Sequence, residues 1–136
     1  MADSNSEDMF VRPLILIAED AGIQVKLTRM CLERADFEVN AARDGDEALS
    51  SIAARRPDLL ILDVEMPKLN GFQVLDKLRK QETTKSIPVI MLTAHGKDSV
   101  LFDTWATPRD AFMTKPFSPD SLLEMVREVL TRPVPA

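Results

Sequence analysis

Several charged and polar side chains of this sequence stand directly after short apolar runs. Glu19 and Asp20 follow LILIA, Asp63 follows LLIL, and Thr93 and Lys115 follow two further runs. A charge at the end of a buried segment is costly unless another group pairs with it. These five residues are therefore the first candidates for a shared functional site.

Together, these residue types suit phosphoryl transfer. Carboxylates that share one crevice repel each other, and a divalent cation is the natural counter-charge. Magnesium takes oxygen ligands and typically binds one or two protein carboxylates and a phosphate oxygen, which suits Glu19, Asp20 and Asp63. An ionised Asp63 can attack a phosphorus atom while Lys115 neutralises charge on the phosphoryl oxygens. The Thr93 hydroxyl can bond the transferred group.

Five apolar runs must position these side chains, and their spacing predicts alternating strands and helices. Segments with helical periodicity separate the runs, as in Ile23, Leu27, Met30 and Cys31. Strand then helix, repeated five times, is typical of a parallel sheet covered on both faces. Ligands of such sheets bind outside the carboxyl ends of the strands, where the candidate residues fall. The predicted strands are Leu14–Ala18, Phe37–Ala41, Leu59–Leu62, Ile87–Leu92 and Asp110–Thr114.

The last helix has a clear predicted start. Ser118 is a capping residue, Pro119 suits the first helical position, and the apolar residues from Leu122 to Leu130 follow at core spacing. The charged run from Asp76 to Lys80 is interpreted instead as a solvated helix face.

The whole set of candidate residues resembles the response-regulator receiver domain of two-component signalling, of which the chemotaxis regulator CheY is the minimal example. The resemblance rests on Glu19-Asp20, Asp63 in LLILDVEMPKLNG, Thr93-Ala94 in IPVIMLTA and Lys115 in FMTKPF. It runs from about residue 14 to residue 130. It implies an α/β fold, a three-layer flavodoxin-like (βα)5 doubly wound sheet whose five parallel strands have the order 2-1-3-4-5, as in CheY.

The resemblance also implies a role for each matching residue. Asp63 is expected to be the phosphoacceptor, which receives a phosphoryl group from the phosphohistidine of a sensor histidine kinase or a phosphotransfer protein. Glu19 and Asp20 are expected to hold Mg²⁺ together with Asp63 and the backbone carbonyl of Glu65. Lys115 is expected to pair with the phosphoryl group.

Thr93 and Phe112 are expected to form a switch. If Thr93 moves toward a new phosphoryl group, it vacates space that the Phe112 ring can fill, and the surface of the fourth helix, fifth strand and fifth helix changes. The helix predicted over Lys97–Ala106 has room for one buried stripe. Leu101 and Trp105 are therefore candidates for a partner-docking patch beside Phe112, and the alternative places them in the core.

The sequence departs from the family pattern near the site. Glu19 replaces a frequent aspartate and is expected to reach the metal through a water, while Phe112 replaces the common tyrosine. Glu65 and His95 flank the site and are candidates to tune the lifetime of the acyl phosphate. The alternative for His95 is a merely solvated side chain.

The segments before and after the fifth strand each have one notable feature. The turn Thr107-Pro108-Arg109 precedes this strand where the family usually has Gly-Ala, which leaves the shape of the turn open. After the strand, the resemblance implies a cis bond between Lys115 and Pro116.

Length and composition limit the classes of protein to consider. The 136 residues suit one domain, expected over 10–131, with a disordered tail at 1–9 and a tail or linker start at 132–136. Cys31 is the one cysteine and the chain has one histidine, which excludes an intramolecular disulfide and a zinc site built from Cys and His. The acidic start and the lack of a long apolar run predict a cytoplasmic chain without membrane contact.

Charge and motifs also separate the functional hypotheses. With 22 acidic against 17 basic, scattered residues, direct nucleic-acid binding is not expected. A phosphohydrolase of the aspartyl-phosphate type could use Asp63-Val64-Glu65, but no insertion builds a substrate pocket. A flavin carrier would need a phosphate loop after the first strand, where Glu19-Asp20 would repel phosphate. We therefore expect a signalling phosphoacceptor rather than an enzyme, acting on a downstream protein effector as a monomer or a phosphorylation-dependent dimer, either alone or as part of a longer protein.

Overall fold

Strands and helices alternate along the chain in a computed structural model that describes residues 12–133. The tail expected at 1–9 lies outside the described residues, as do residues 10–11 and 134–136. A short 3₁₀ helix, Gly96–Asp98, precedes the fourth α-helix. The strands are β1 (Leu14–Ala18), β2 (Glu38–Ala42), β3 (Leu59–Asp63), β4 (Val89–Thr93) and β5 (Ala111–Thr114), and the helices are α1 (Gly22–Arg34), α2 (Gly45–Ala54), α3 (Gly71–Arg79), α4 (Ser99–Trp105) and α5 (Pro119–Thr131).

The five strands form one parallel sheet in the order β2-β1-β3-β4-β5, which confirms the predicted flavodoxin-like fold. The register aligns the carboxyl ends of neighbouring strands. Asp63 at the end of β3 lies beside Leu92, and Thr93 at the end of β4 lies beside Thr114. The candidate residues therefore meet at one edge of the sheet.

Alternate residues of the buried strands pack against helices on opposite faces of the sheet. On one face, Leu16 and Ala18 belong to a cluster that includes apolar residues of α2, α3 and α4. On the other face, Ile15 and Ile17 pack with Leu32 of α1 and with apolar residues of α5. The result is the three-layer arrangement in which the whole length of β1, β3 and β4 is buried.

The strand boundaries differ from the predicted ones by one or two residues. Asp63 and Thr93 belong to the strands that they were expected to follow. The fourth strand begins at Val89 because Pro88 has no N–H to donate to a ladder. Asp110 precedes β5 and is not part of the strand. Its carboxylate accepts the Val89 N–H at 2.7 Å.

The first helix is present, but most of the apolar residues whose spacing indicated it do not pack against the sheet. Ile23, Leu27 and Met30 are 80%, 51% and 45% exposed, whereas Thr28 and Leu32 are buried. Apolar residues occur on both sides of this helix, so periodicity alone does not identify the packed side. The fifth helix begins as predicted, since the Ser118 side chain accepts the Ser121 N–H and Pro119 is the first helical residue.

Within residues 12–133, none of the helices combines the length and the apolar character needed to cross a membrane.

Candidate functional site

The carboxyl ends of three strands bring Glu19, Asp63 and Lys115 together. The Lys115 Nζ atom lies 3.0 Å from Asp63 Oδ2 and 3.4 Å from Glu19 Oε2. The backbone fixes this arrangement, because Lys115 N–H donates to the Thr93 carbonyl at 2.7 Å and Glu19 N–H donates to the Ala42 carbonyl at 3.0 Å. The bond between Lys115 and the next residue, Pro116, is cis, as predicted.

Burial makes the two carboxyl groups harder to ionise. Glu19 is 2% and Asp63 is 3% exposed. Burial raises the pKa of each carboxyl above its ordinary value, although Lys115 opposes the rise in both cases. Burial disfavours the Lys115 cation too, but the hydrogen bonds and charges of Asp63 and Glu19 together outweigh that effect and raise the pKa of the ammonium. Two buried carboxyl groups therefore share one ammonium.

Asp20 adds a third carboxylate at the exposed mouth of the site. Its charge contributes to the raised pKa of both Glu19 and Asp63. Three carboxylates facing one ammonium leave an excess of negative charge. A divalent cation with oxygen ligands fits this donor set, and magnesium needs only one or two carboxylates because it keeps several waters. In the described part of the chain, no three His, Cys, Asp or Glu side chains are grouped closely enough to hold a metal ion by themselves.

The Glu65 backbone lies against the Asp63 carboxylate. Its N–H donates to Asp63 Oδ1 at 3.3 Å, so both carboxylate oxygens of Asp63 have a partner. The Glu65 side chain points outward, where its Oε2 lies 3.6 Å from His95 Nε2. Both side chains are more than half exposed, and the imidazole is a charged partner only when it is protonated, so the contact adds little to stability. The pair does join the two loops that flank Asp63.

The Thr93 hydroxyl is buried and has both of its hydrogen-bonding roles occupied. Thr93 is 0% exposed. Its Oγ1 donates to Asp98 Oδ2 at 2.7 Å and accepts the His95 N–H at 3.0 Å. Neither partner is Asp63. Asp98 was not among the residues singled out in the sequence, because its contact with Thr93 depends on the turn of the 3₁₀ helix.

The structure divides the candidate patch on the fourth helix between the two alternatives, exposed for Leu101 and partly buried for Trp105. Leu101 is 51% exposed, as expected, but Trp105 is only partly exposed and stacks on Phe72 at 5.8 Å between ring centroids. The Trp105 Nε1–H also donates to Asp76 Oδ1 at 3.0 Å. The Phe112 ring is likewise partly buried, against Phe102 of α4 at 5.4 Å. Trp105 therefore anchors α4 to α3.

The exposed apolar neighbour of Leu101 is Val100, which is 73% exposed. The buried stripe of this short helix is thus Phe102 with Trp105, three residues apart.

Gly71 sets the distance between α3 and the end of β3. Its N–H donates to the Val64 carbonyl at 2.8 Å. A Cβ atom at position 71 would lie 2.5 Å from the Asp63 carbonyl oxygen and 2.9 Å from Val64 Cα. Those contacts are with backbone, so relief would require α3 or the segment after β3 to move. The glycine of the LLILDVEMPKLNG string is therefore required by packing.

We expect Gly71→Ala to lower the free energy of unfolding by about 1–3 kcal/mol, because overpacking against backbone forces the chain to shift. The shift would also displace Asp63. Urea denaturation followed by circular dichroism measures the stability change. Gly22→Ala is the matched control, since Gly22 is also the first residue of a helix and a Cβ there meets nothing within 4 Å. Equal stability of the two variants would contradict the packing argument.

Comparison with known proteins identifies the family. A family model described as the response regulator receiver domain matches residues 15–127. The chain belongs to this family. As a receiver domain of two-component signalling, it is similar to the phosphate regulon transcriptional regulatory protein PhoB of Rhizobium meliloti, with 39% identity over 123 residues. That match covers 90% of this chain and 54% of PhoB, so the receiver domain spans about half the length of this curated relative.

Solved structures agree with this assignment. The chemotaxis protein CheY4 of Vibrio cholerae superposes with a TM-score of 0.80 at 29% identity, covering 88% of this receiver domain and 99% of that chain. The receiver domain of the sensor histidine kinase PA1611 from Pseudomonas aeruginosa has a TM-score of 0.80 at 24% identity, covering 90% and 100% of the two chains, which shows the shared fold. That crystal structure holds a magnesium ion in its active-site cleft.

Proposed function

We propose that this receiver domain accepts a phosphoryl group on Asp63 from the phosphohistidine of a sensor histidine kinase or a phosphotransfer protein, with Mg²⁺ as cofactor. The observation that carries the proposal is the buried Asp63 carboxylate, 3.0 Å from the Lys115 ammonium at the carboxyl edge of the sheet. The exposed Asp20 carboxylate marks the side of the site that faces the loops. Because phosphohistidine is formed from ATP, we place the exchange in the cytoplasm.

In the proposed transfer, a carboxylate oxygen of Asp63 attacks the phosphorus atom of the phosphohistidine. The new O–P bond forms as the N–P bond breaks, and the electron pair returns to the histidine nitrogen, which takes up a proton. Lys115 already faces Asp63 and would pair with an equatorial oxygen of the transferred group. Hydrolysis of the acyl phosphate by water then returns the free carboxylate, so the chain acts only on its own phosphoryl group.

Glu19, Asp20, Asp63 and the backbone carbonyl of Glu65 are the groups that would hold Mg²⁺. When bound, the ion supplies positive charge that offsets the excess of carboxylates and the charge of the phosphoryl oxygens. The donor chemistry described above supports this assignment, and the magnesium ion in the PA1611 receiver domain is a precedent in the same fold. Glu19 is also held by Lys115, so we expect it to reach the ion through a water.

The output is proposed to run from Thr93 through Phe112 to the surface of α4, β5 and α5. Phe112 packs on Phe102 of α4, so a change in its ring position would alter the packing of this helix, which also carries the exposed Leu101. We propose that Leu101, the exposed part of Trp105 and Phe112 contact a protein effector. Direct contact with nucleic acid is not part of the proposal, since acidic residues outnumber basic ones by 22 to 17.

Phosphorylation by a small donor tests the proposed function. The purified domain is incubated with acetyl phosphate, with and without Mg²⁺, and its intact mass is recorded. We expect the mass gain of one phosphoryl group with Mg²⁺ and no gain when a chelator is present from the start. Hydroxylamine should remove the group, as it does from acyl phosphates but not from phosphoserine. No Mg²⁺-dependent mass gain, or a hydroxylamine-resistant one, would contradict the proposal.

A further inference from the structure

We propose that Asp98 is a positioning residue that holds Thr93 in the unphosphorylated state and thereby sets the threshold of the switch. The inference rests on the proposed function, since it concerns the group that Thr93 must leave in order to reach a phosphorylated Asp63. The bond itself is a feature of the described structure, with Thr93 Oγ1 donating to Asp98 Oδ2 at 2.7 Å.

The argument begins with the number of protons on a hydroxyl. Threonine has one O–H hydrogen and can donate one hydrogen bond at a time. In this structure that hydrogen goes to Asp98, and the oxygen also accepts the His95 N–H. Donation to a phosphoryl oxygen on Asp63 therefore requires the bond to Asp98 to break. The two states of Thr93 exclude each other.

The bond to Asp98 is of a strong kind. A hydrogen bond from a hydroxyl to an ionised carboxylate is shorter and stronger than one between neutral groups. The Thr93 residue is 0% exposed, so water does not compete freely at the hydroxyl. Leaving Asp98 consequently has a cost, which the phosphoryl group must outweigh.

The Asp98 side chain makes this hydrogen bond and does not cap α4. Asp98 stands immediately before α4, at a position where aspartate commonly caps a helix, yet its side chain makes no capping bond to α4. The Thr93 hydroxyl is the donor to its carboxylate, and none of the ion pairs among the described residues includes Asp98. Its backbone N–H donates to the His95 carbonyl at 3.0 Å, which fixes the 3₁₀ turn that presents the carboxylate.

Release of Thr93 would therefore remove a hydrogen bond directly at the start of α4. The 3₁₀ turn Gly96–Asp98 continues into this helix, whose exposed face includes Val100 and Leu101. A bond that stabilises only the resting state lowers the population of the active state. It therefore weakens the binding of any ligand that selects the active state. Asp98 thus links the phosphorylation site to α4 independently of the Phe112 ring.

The test measures affinity for beryllium fluoride, a mimic of the phosphoryl group, in the presence of Mg²⁺. Isothermal titration calorimetry gives the dissociation constant. Asp98→Ala is expected to bind the mimic about tenfold more tightly than wild type, because the resting state loses a hydrogen bond to a charged group. Asp98→Asn keeps an acceptor oxygen without the charge and should show a smaller gain, which also covers the case of an unstable alanine variant.

Two controls separate the proposed contact from a general charge effect. Asp103→Ala removes an exposed carboxylate from α4 and should leave the affinity unchanged. In a Thr93→Val background, which lacks the hydroxyl, Asp98→Ala should no longer tighten binding. Thr93 methyl shifts in NMR spectra should move in Asp98→Ala without beryllium fluoride, toward those of the bound wild type.

The outcomes distinguish the two levels of the argument. If wild type fails to bind beryllium fluoride with Mg²⁺, the proposed function fails and this inference fails with it. If wild type binds but Asp98→Ala binds equally or more weakly, Asp98 does not hold the resting state and the proposed function stands. An equal gain in the Thr93→Val background would likewise overturn the role of Asp98, because it would show that the gain comes from charge alone.

Discussion

Asp63→Asn is expected to take up no phosphoryl group from acetyl phosphate under conditions that fully label the wild type. The amide has no anionic oxygen to attack phosphorus, and the variant removes one of the three carboxylates that fit a divalent cation. The loss should be complete rather than partial, because no other carboxylate of the site lies as close to Lys115 as Asp63, at 3.0 Å. Intact mass spectrometry at several times after mixing measures the labelled fraction.

Folding should survive this change. Burial raises the pKa of the Asp63 carboxyl, so the ionised form is the disfavoured one in the folded chain and a neutral amide relieves that cost. Asp58→Asn is the matched control, since Asp58 precedes β3 at the opposite end of the same strand and its Oδ2 accepts the Leu14 N–H at 2.7 Å. That variant should be labelled like wild type. Full labelling of Asp63→Asn would place the phosphoacceptor elsewhere.

The site was predictable because it depends on two simple properties, residue type and position at a strand end. Glu19, Asp63, Thr93 and Lys115 each stand at the end of an apolar run, and parallel strands bring those ends to one edge. Which ends become neighbours depends on the strand order, and that order came from the family resemblance rather than from the pattern.

The side chains that link elements were harder to predict. For Trp105 the sequence left an exposed patch and the core as alternatives, and stacking on Phe72 with a hydrogen bond to Asp76 turns it toward α3. Short helices such as α4, with seven residues, carry too few positions for periodicity to identify the packed face. The role of Asp98 could not be predicted for a similar reason. Its contact with the Thr93 hydroxyl depends on the shape of the turn between them, which no sequence pattern indicates.

Arg79 is the clearest case in which the interpretation of the sequence was wrong. It lies in the run from Asp76 to Lys80, which was taken as a solvated face. In the structure, its Nη2 lies 2.6 Å from Asp110 Oδ2, and the two side chains are 11% and 0% exposed. Three of its other guanidinium hydrogens go to the backbone carbonyls of Lys85, Ile87 and Trp105. A run rich in charged residues does not indicate that one of them has a partner far away in the sequence.

The Asp110 carboxylate explains how the turn before β5 accommodates Thr107-Pro108-Arg109. Besides Arg79, it accepts the N–H groups of Thr107 and Val89, each at 2.7 Å. The turn also closes through the Asp110 N–H, which donates to the Thr107 carbonyl at 3.0 Å. Pro108 needs no donor in this arrangement, so the departure from the family pattern is compatible with the fold. The ion pair thus joins α3, the start of β4 and the turn into β5.

Arg79→Ala is expected to lower the free energy of unfolding by about 3–5 kcal/mol, because it leaves the buried Asp110 carboxylate without its cation. It also removes the donors to three backbone carbonyls. Since a domain of this kind is stable by only about 5–15 kcal/mol, the variant should be close to unfolding at 37 °C. Urea denaturation at 25 °C, monitored by Trp105 fluorescence and by circular dichroism, measures the change.

Arg55→Ala provides the matched comparison. Arg55 also pairs with a carboxylate at 2.6 Å, that of Glu38, but the two side chains are 54% and 43% exposed. Exposed pairs of this kind contribute little because water screens them, so this variant should retain nearly the stability of wild type. If Arg79→Ala cost no more than Arg55→Ala, burial would not be what gives the Arg79–Asp110 pair its importance. A large difference would show that the buried Arg79–Asp110 pair stabilises the connection between α3, the start of β4 and the turn into β5.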